Sequence, residues 1–515
     1  MVNQYKYLHQ SFRVRGDSEL DEESNHPSTS SGQAGSFYPL MLSPSKHDKL
    51  RTNGKYKQTF SNLRRSASVL SVLVLAGCAT PSAQDSFSPV AEMAKSRLAG
   101  KETRWLQSDK ERQELRQIVK TKLSQPLTIE DAVQIALLNN RGLQAKYAQL
   151  GIAVSDLQAV SRLPDITLSF AHLREGSSLA IDRAISFDLL TLLTRPTARR
   201  LEQQNLQQVR LSVMTEMLSL ATATRQAWIE VVAAKEVVAT AEQTNQAAQV
   251  ARDVVERLMQ VGNLSRLDLL REQALYADTQ AELAQAQQQV ILRQAQLTML
   301  LGLWGEDSQY SLPSTLASLP DSPRTDNATE STALQQRLDV LAANQASQRL
   351  AQSLGMTRTN RFIDVLDLGY QRNSVSGQAI QKGYDISVRV PLFTGGTRQA
   401  KAQFLYQQSL DQAADTAVRA RAEVRASYAS YRLAYDTAKH YQQQVLPVRA
   451  QIAEEMMLRY NGMLLSVLDV IANARDQAQS QRAAIEAKRN FWLADSTLEA
   501  AMNGSSSSSI NSMPE

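Results

Sequence analysis

Apolar residues recur at two different periods along this chain, and the period changes at corresponding places in its two halves. Ile166, Leu168 and Phe170 alternate with Thr167, Ser169 and Ala171, and Ile181, Ile185, Phe187 and Leu189 mark a second run. In the second half Phe362, Leu366, Leu368 and Tyr370 precede Ile386, Val388 and Val390. Period-two alternation predicts strands with unlike faces, and a strand with lipid on one side and water on the other alternates in this way. The runs are near the roughly 9–11 residues that a tilted membrane-spanning strand requires. A soluble hairpin packed on helices would alternate similarly, so the runs gain meaning only from what surrounds them.

After each pair of runs the pattern becomes helical and unusually long. From Thr197 to Val261 there are 65 residues without Gly or Pro, a predicted helix of about 97 Å at 1.5 Å per residue. From Thr397 to Leu446 another 50 follow before Pro447, which should kink or restart a helix continuing to Tyr460. Past Gly262, Leu267, Leu270, Ala274, Ala277, Ala281 and Ala284 recur at spacings of three and four, a predicted coiled-coil stripe on which alanines allow close approach. Ile471, Ala474, Ala478, Ile485 and Trp492 give a second, interrupted stripe.

A plain coiled coil would account for the stripes but not for their duplication. Val261-Gly262-Asn263-Leu264-Ser265-Arg266-Leu267-Asp268 is echoed by Asn461-Gly462-Met463-Leu464-Leu465-Ser466-Val467-Leu468-Asp469. Each copy has a Gly able to end one helix, then a Ser, then an Asp between apolar residues opening the next. Aligned on their glycines, the copies differ by one inserted residue. The predicted fold class is therefore mainly α with a small β part, built as two structural repeats of long coiled-coil helices plus strand pairs. Repeat 1 spans 127–302 and repeat 2 spans 331–502, joined by a proline-containing linker over 303–330; a mature N-terminal segment, 78–126, precedes them and a serine-rich tail, 503–515, follows. No apolar run reaches 18 residues beyond the leader, so a membrane span would have to be a closed β-barrel. Four strands cannot close around a channel, whereas three copies would supply twelve, the physical case for a homotrimer.

Composition agrees with long helices: aromatics are only 6%, while Ala, Gln, Leu and Arg crowd the middle of the chain. The net charge of +5 is concentrated at the start, where residues 1–77 hold ten Lys and Arg against six Asp and Glu. That leaves 46 against 45 elsewhere, which removes the main support for nucleic-acid binding. The only histidines past the leader, His172 and His440, have no nearby ligand cluster, so no metal site or other cofactor is expected, and His172 is assigned to a barrel rim. Asn327-Ala328-Thr329 matches a glycosylation acceptor by chance. No phosphate-binding loop and no nucleophile–base constellation appears, so the chain is read as a non-enzyme.

The single cysteine, Cys78, excludes an intramolecular disulfide and a thiolate cluster. It follows Arg64-Arg65 and an apolar run, Val69 to Gly77, that reads as a secretory signal and is too short to span a bilayer. Leu75-Ala76-Gly77-Cys78 resembles the bacterial lipobox, in which the Cys is acylated and begins the mature chain. The competing reading is a structural Cys beside an ordinary signal. Ala79 replaces the Asp that usually retains such lipoproteins in the inner membrane, so the resemblance implies outer-membrane lipid as the anchor. Residues 1–77 are thus leader and signal peptide, with Met41 as a candidate start.

Helix, two strands and two long helices, repeated, resembles the TolC-type outer-membrane efflux proteins over roughly 127–502. Leu127-Thr128-Ile129-Glu130-Asp131-Ala132-Val133 is similar to the family's opening segment, with Thr128 and Asp131 placed for a capping-box-like start. Arg337-Leu338-Asp339-Val340-Leu341-Ala342-Ala343 is similar to the opening of its second repeat, and Val390-Pro391-Leu392-Phe393-Thr394-Gly395-Gly396 to its strand-to-helix turn. The first repeat departs there, with Leu192-Leu193-Thr194-Arg195-Pro196-Thr197 instead. The resemblance implies a trimer with a 12-stranded barrel in the outer membrane of a Gram-negative bacterium and an α-helical barrel across the periplasm. It implies a passive exit duct that docks a periplasmic adaptor linked to an inner-membrane pump, in a tripartite efflux or type I secretion system.

The turns carrying Gly262, Ser265, Gly462 and Ser466 would then lie at the periplasmic tip, with Asp268 and Asp469 as candidates for the channel constriction. Threefold symmetry turns each Asp into a carboxylate ring, which favours cations. The competing role is simple capping of a helix N-terminus. Where some family members carry a second Asp, this chain has Ala472, which argues against a double ring. No basic residue lies within Gly462–Ile471, leaving Arg459 and Arg266 as the nearby cations. Two rival readings remain: a lipid-anchored periplasmic adaptor, which would show one hairpin beside β-rich sequence, and a structural coiled-coil protein, which leaves the strands unexplained.

Overall fold

The computed structural model describes residues 83–325 and 335–505. The leader, Cys78 with its lipobox, Asn327-Ala328-Thr329 and most of the serine-rich tail lie outside the described residues.

Two short helices, α1 (Ala83–Arg97) and α2 (Asp109–Leu123), come first. In repeat 1, α3 (Ile129–Asn139) and α4 (Arg141–Ser161) lead into β1 (Ile166–Glu175) and β2 (Ser178–Asp188), then α5 (Leu189–Gln260) and α6 (Arg266–Leu301). Repeat 2 has α7 (Leu338–Thr359), β3 (Val365–Val375), β4 (Gln381–Arg389), α8 (Gly395–His440), α9 (Leu446–Asn461) and α10 (Val467–Asn503). The four strands form one antiparallel sheet in the order β1-β2-β3-β4. The repeats meet at β2 and β3, where Ile185 stands opposite Tyr370 and Ala180 opposite Val375.

Strand ends differ from the alternation at three places. Leu189 opens α5 instead of closing a strand, because the Asp188 carboxylate accepts the Thr191 N–H at 2.9 Å and caps the helix. Phe362 precedes β3 and Val390 follows β4. The departure at Leu192–Thr197 has a plain outcome: β2 runs directly into a helix of 72 residues that contains Pro196. In repeat 2 a turn separates strand from helix, and Gly395 at its end is packed so closely that a Cβ would meet the Arg361 carbonyl oxygen at 2.8 Å. Pro447 restarts the helix as expected: a π-helical turn, Tyr441–Val445, widens the backbone just before it, which accommodates a ring that lacks an N–H.

Packing is densest around the middle of α5. Trp228 of α5 donates its indole N–H to the Leu127 carbonyl at 2.8 Å, while Leu127, Ile135 and Leu301 are fully buried beside it. Phe87, Val90 and Ala94 of α1 and Leu98 just past its end recur at three- and four-residue spacing and pack with Tyr147, Met214 and Met217. Burying each large apolar side chain stabilises the fold by about 1.5–3 kcal/mol. A third cluster joins the repeat 2 helices through Tyr431, Tyr435 and Phe491. The described part of the linker is tied to these elements: Tyr435 donates to the Asp321 carbonyl at 2.9 Å and Trp492 to that of Ala317 at 3.2 Å.

Two further expectations are corrected. The Thr128 hydroxyl accepts the Asp131 N–H at 3.1 Å, but the Asp131 carboxylate turns to the Lys122 ammonium and the Thr128 hydroxyl instead of completing a capping box. The stripe of Leu267, Leu270, Ala274, Ala277, Ala281 and Ala284 is exposed, and α6 buries Leu269, Glu272 and Thr279 in its place, with the Thr279 hydroxyl on Asn245 of α5 at 3.2 Å. Both faces repeat at helical spacing, so periodicity alone does not say which one meets the partner helix.

Candidate functional site

The two helical turns singled out in the sequence are copies in geometry as well. In the first, the N–H groups of Val261, Gly262 and Asn263 donate to the carbonyls of Arg257, Met259 and Leu258 at 3.2, 3.0 and 2.9 Å. In the second, Gly462, Met463 and Leu464 donate to Leu458, Tyr460 and Arg459 at 3.1, 2.9 and 2.9 Å. Val261 therefore corresponds to Gly462, and Gly262 to Met463. By these hydrogen bonds the copies align without an insertion, which corrects the glycine-on-glycine alignment. The left-handed position is Gly262 at φ 83° in the first turn and Met463 at φ 61° in the second. A β-carbon is disfavoured in that region, so the second turn is the strained one.

Each following helix opens with a full capping box. Ser265 Oγ accepts the Asp268 N–H at 3.2 Å, and the Asp268 carboxylate accepts from the Ser265 N–H at 3.1 Å and its hydroxyl at 2.7 Å. Ser466 and Asp469 repeat the arrangement at 3.3, 3.0 and 2.7 Å. The Ser265 hydroxyl and N–H, helped by Arg271 at 3.6 Å, hold the Asp268 carboxyl below the usual carboxylate range. Ser466 does the same for Asp469. Both aspartates are thus ionised at neutral pH and complement the positive ends of their helices. Arg459 pairs with Glu455 on its own helix at 2.9 Å.

A contact with no sequence signal joins the repeats near these turns. Arg475 of α10 donates through Nη2 to both carboxylate oxygens of Glu272 on α6, at 2.6 and 2.7 Å. Glu272 lies about 10 Å along its helix from the Ser265 cap and Arg475 about 14 Å from the Ser466 cap, at 1.5 Å per residue. Both turns therefore sit at the same end of the molecule. Farther along, Arg482 faces Glu282 at 3.8 Å, and α5, α6 and α10 enclose a groove of about 750 Å³ lined by small and polar residues such as Thr240, Ala247, Thr279 and Ala478.

At the start of repeat 2, Arg337 is buried, with 1% of its surface exposed. It donates to Asp339 at 3.0 and 2.7 Å, to Glu423 at 2.7 Å and to the Ala501 carbonyl. This knot explains the motif around Arg337: its fork ties α7 to α8 and α10. Among the described residues no group of His, Cys, Asp or Glu is arranged to hold a metal ion, and no helix is long and apolar enough to cross a membrane.

This is the TolC-type fold of bacterial outer-membrane channels. The chain is similar to the Campylobacter jejuni CmeC outer membrane channel, at 16% identity and a TM-score of 0.63, over 73% of this chain and 86% of that one. It is similar to the outer membrane protein VceC of Vibrio cholerae at 18% identity and 0.61, over 73% and 96%. The open state of the Neisseria gonorrhoeae MtrE outer membrane channel matches at 17% and 0.60, over 73% and 89%. Identities this low establish the fold, while function rests on the site. No protein-family model and no curated protein sequence matches the chain.

Proposed function

We propose that this chain is the outer-membrane exit duct of a tripartite efflux or type I secretion system, a homotrimer anchored by lipid at Cys78. The observation that carries the reading is the sheet, whose four antiparallel strands have one apolar and one polar face and two open edges at β1 and β4. In a bilayer each edge must find a partner, and three copies supply the twelve strands that close a barrel. The exposed stripe from Leu267 to Ala284 offers each helical pair a face for its neighbour. The duct is passive and not an enzyme; its barrel lies in the outer membrane and its helices extend into the periplasm. The turn-bearing end meets an adaptor and an inner-membrane pump, which choose the exported solute. There Asp268 and Asp469 form rings of three carboxylates as the candidate constriction, while each also caps its helix. A single-hairpin adaptor does not account for two hairpins that share one sheet, and a soluble coiled coil does not account for the sheet.

The test is the mass of the detergent-purified chain together with single-channel conductance in a planar bilayer. A trimer is expected that conducts weakly, and more strongly in the variant Asp268→Ala/Asp469→Ala. A monomer without conductance would overturn the reading.

A further inference from the structure

One face of the sheet gathers cations among its apolar residues. Residues directly opposite on antiparallel strands share a face, so the register sorts every side chain. Leu168, Ile185, Tyr370 and Tyr384 form one apolar row, with the two tyrosine rings 5.7 Å apart. The next row on that face is Phe170, Arg183, Arg372 and Lys382. Three cations thus stand side by side on the apolar face, and Arg174 stands there two rows farther out. The aspartates Asp182, Asp188, Asp367 and Asp385 fall on the opposite, polar face, together with Arg389. Arg183, Arg372 and Lys382 are exposed, and among the described residues none is paired with a carboxylate.

Like charges directly opposite one another destabilise a sheet, and neighbouring strands are only about 5 Å apart. Such a row calls for an anion from outside the chain. Its level identifies which. From Lys382 to Val390 the chain runs about 26 Å along the strand, or about 20 Å of height at a tilt near 40°. Leu392 and Phe393, both highly exposed, carry the apolar surface toward the roughly 25 Å of a membrane band. The basic row therefore stands at the border of that band remote from the helices. A cation is costly at mid-membrane and tolerated at the interface, where anionic headgroups lie.

We infer that Arg183, Arg372 and Lys382 seat a phosphate of a phosphorylated glycolipid in the outer leaflet, one seat per protomer. Two planar guanidinium forks grip a phosphate bidentately, and the lysine adds a point charge. The inference rests on the duct reading, which alone turns the apolar face toward lipid.

The test compares the full chain with the variant Arg183→Gln/Arg372→Gln/Lys382→Gln, each purified in detergent. Native mass spectrometry reads retention of lipid A and of dephosphorylated lipid A, and planar-bilayer conductance is measured in parallel. The unchanged protein should retain lipid A at least tenfold better than its dephosphorylated form, and the triple variant should lose that preference with conductance unchanged. The single variant Arg372→Gln, a milder change, should lose part of it. Equal retention of both lipids, or equal retention by the triple variant, would overturn the phosphate seat and leave the duct reading standing if conductance persists. Absence of conductance in the unchanged protein would overturn the duct reading and this inference with it.

Discussion

Arg475 and Glu272, 203 positions apart, share two hydrogen bonds from a single guanidinium nitrogen, and the glutamate side chain is 6% exposed. Removing the arginine would leave a carboxylate buried without its partner. Full burial would make that cost about 3–5 kcal/mol, but the arginine side chain is 40% exposed, so water recovers part of it. Arg475→Ala should lower stability by roughly 1–3 kcal/mol on this basis. The double variant Glu272→Leu/Arg475→Leu should recover most of the loss. Chemical unfolding followed by helical circular dichroism measures both, and strict additivity of the two single changes would show that the pair is uncoupled.

The glycines of the two turns should behave differently although the sequence presents them alike. Gly262→Ala forces a β-carbon into the left-handed region and should cost about 1–2 kcal/mol. Gly462 has an ordinary backbone and room for a β-carbon, so Gly462→Ala should be neutral or stabilise by up to about 1 kcal/mol. Met463→Gly should relieve the strain of the second turn. Hydrogen exchange at the turns reads all three, and equal losses at Gly262 and Gly462 would refute the assigned correspondence.

Acid should loosen the turns in one direction only. The carboxyls of Asp268 and Asp469 are held below their ordinary value in the folded state. Their stabilisation is therefore complete above the unfolded carboxylate pKa near 4 and lost as pH falls through the lower folded value. Exchange protection at Ser265 and Ser466 should be flat from neutrality to about pH 4 and fall below it. In the variant Asp268→Asn/Asp469→Asn it should be weaker throughout and lose that acid-dependent step. A wild-type profile without an acid step would contradict the capping geometry.

Arg337 is a demanding position because three partners converge on one planar group. Lysine keeps the charge but cannot reach Asp339, Glu423 and the Ala501 carbonyl together, so Arg337→Lys should cost roughly 2–4 kcal/mol. Gly504→Ala should disturb the same knot, since a β-carbon there would run into the Asp339 carboxylate at a backbone φ of 71°. Thermal unfolding tests both, and a neutral Arg337→Lys would show that charge alone suffices.

Much of this architecture is legible in the order of residues. Period-two alternation located all four strands, because the pleat turns successive side chains to opposite faces whatever lies nearby. The long stretches without Gly or Pro located the helices, and Pro447 located the restart of the second, since a residue lacking an N–H leaves its mark locally. The Ser–Asp boxes were equally readable, because a cap is made within four residues.

Other features belong to the tertiary structure alone. The stripe on α6 and the face that meets α5 have the same spacing, and only the packed partner distinguishes them. Gly262 and Gly462 look equivalent as letters, but the hydrogen bonds of each turn decide which residue takes the left-handed conformation. The basic row on the sheet exists only once β2 pairs with β3 and both with their neighbours, because no local pattern brings Arg183 beside Arg372. Glu272 and Arg475 likewise meet only through the fold of both repeats. Sequence alone determined the elements and their duplication, which are set by interactions within a few residues. The partners across those elements were decided by long-range packing, which a one-dimensional pattern does not contain.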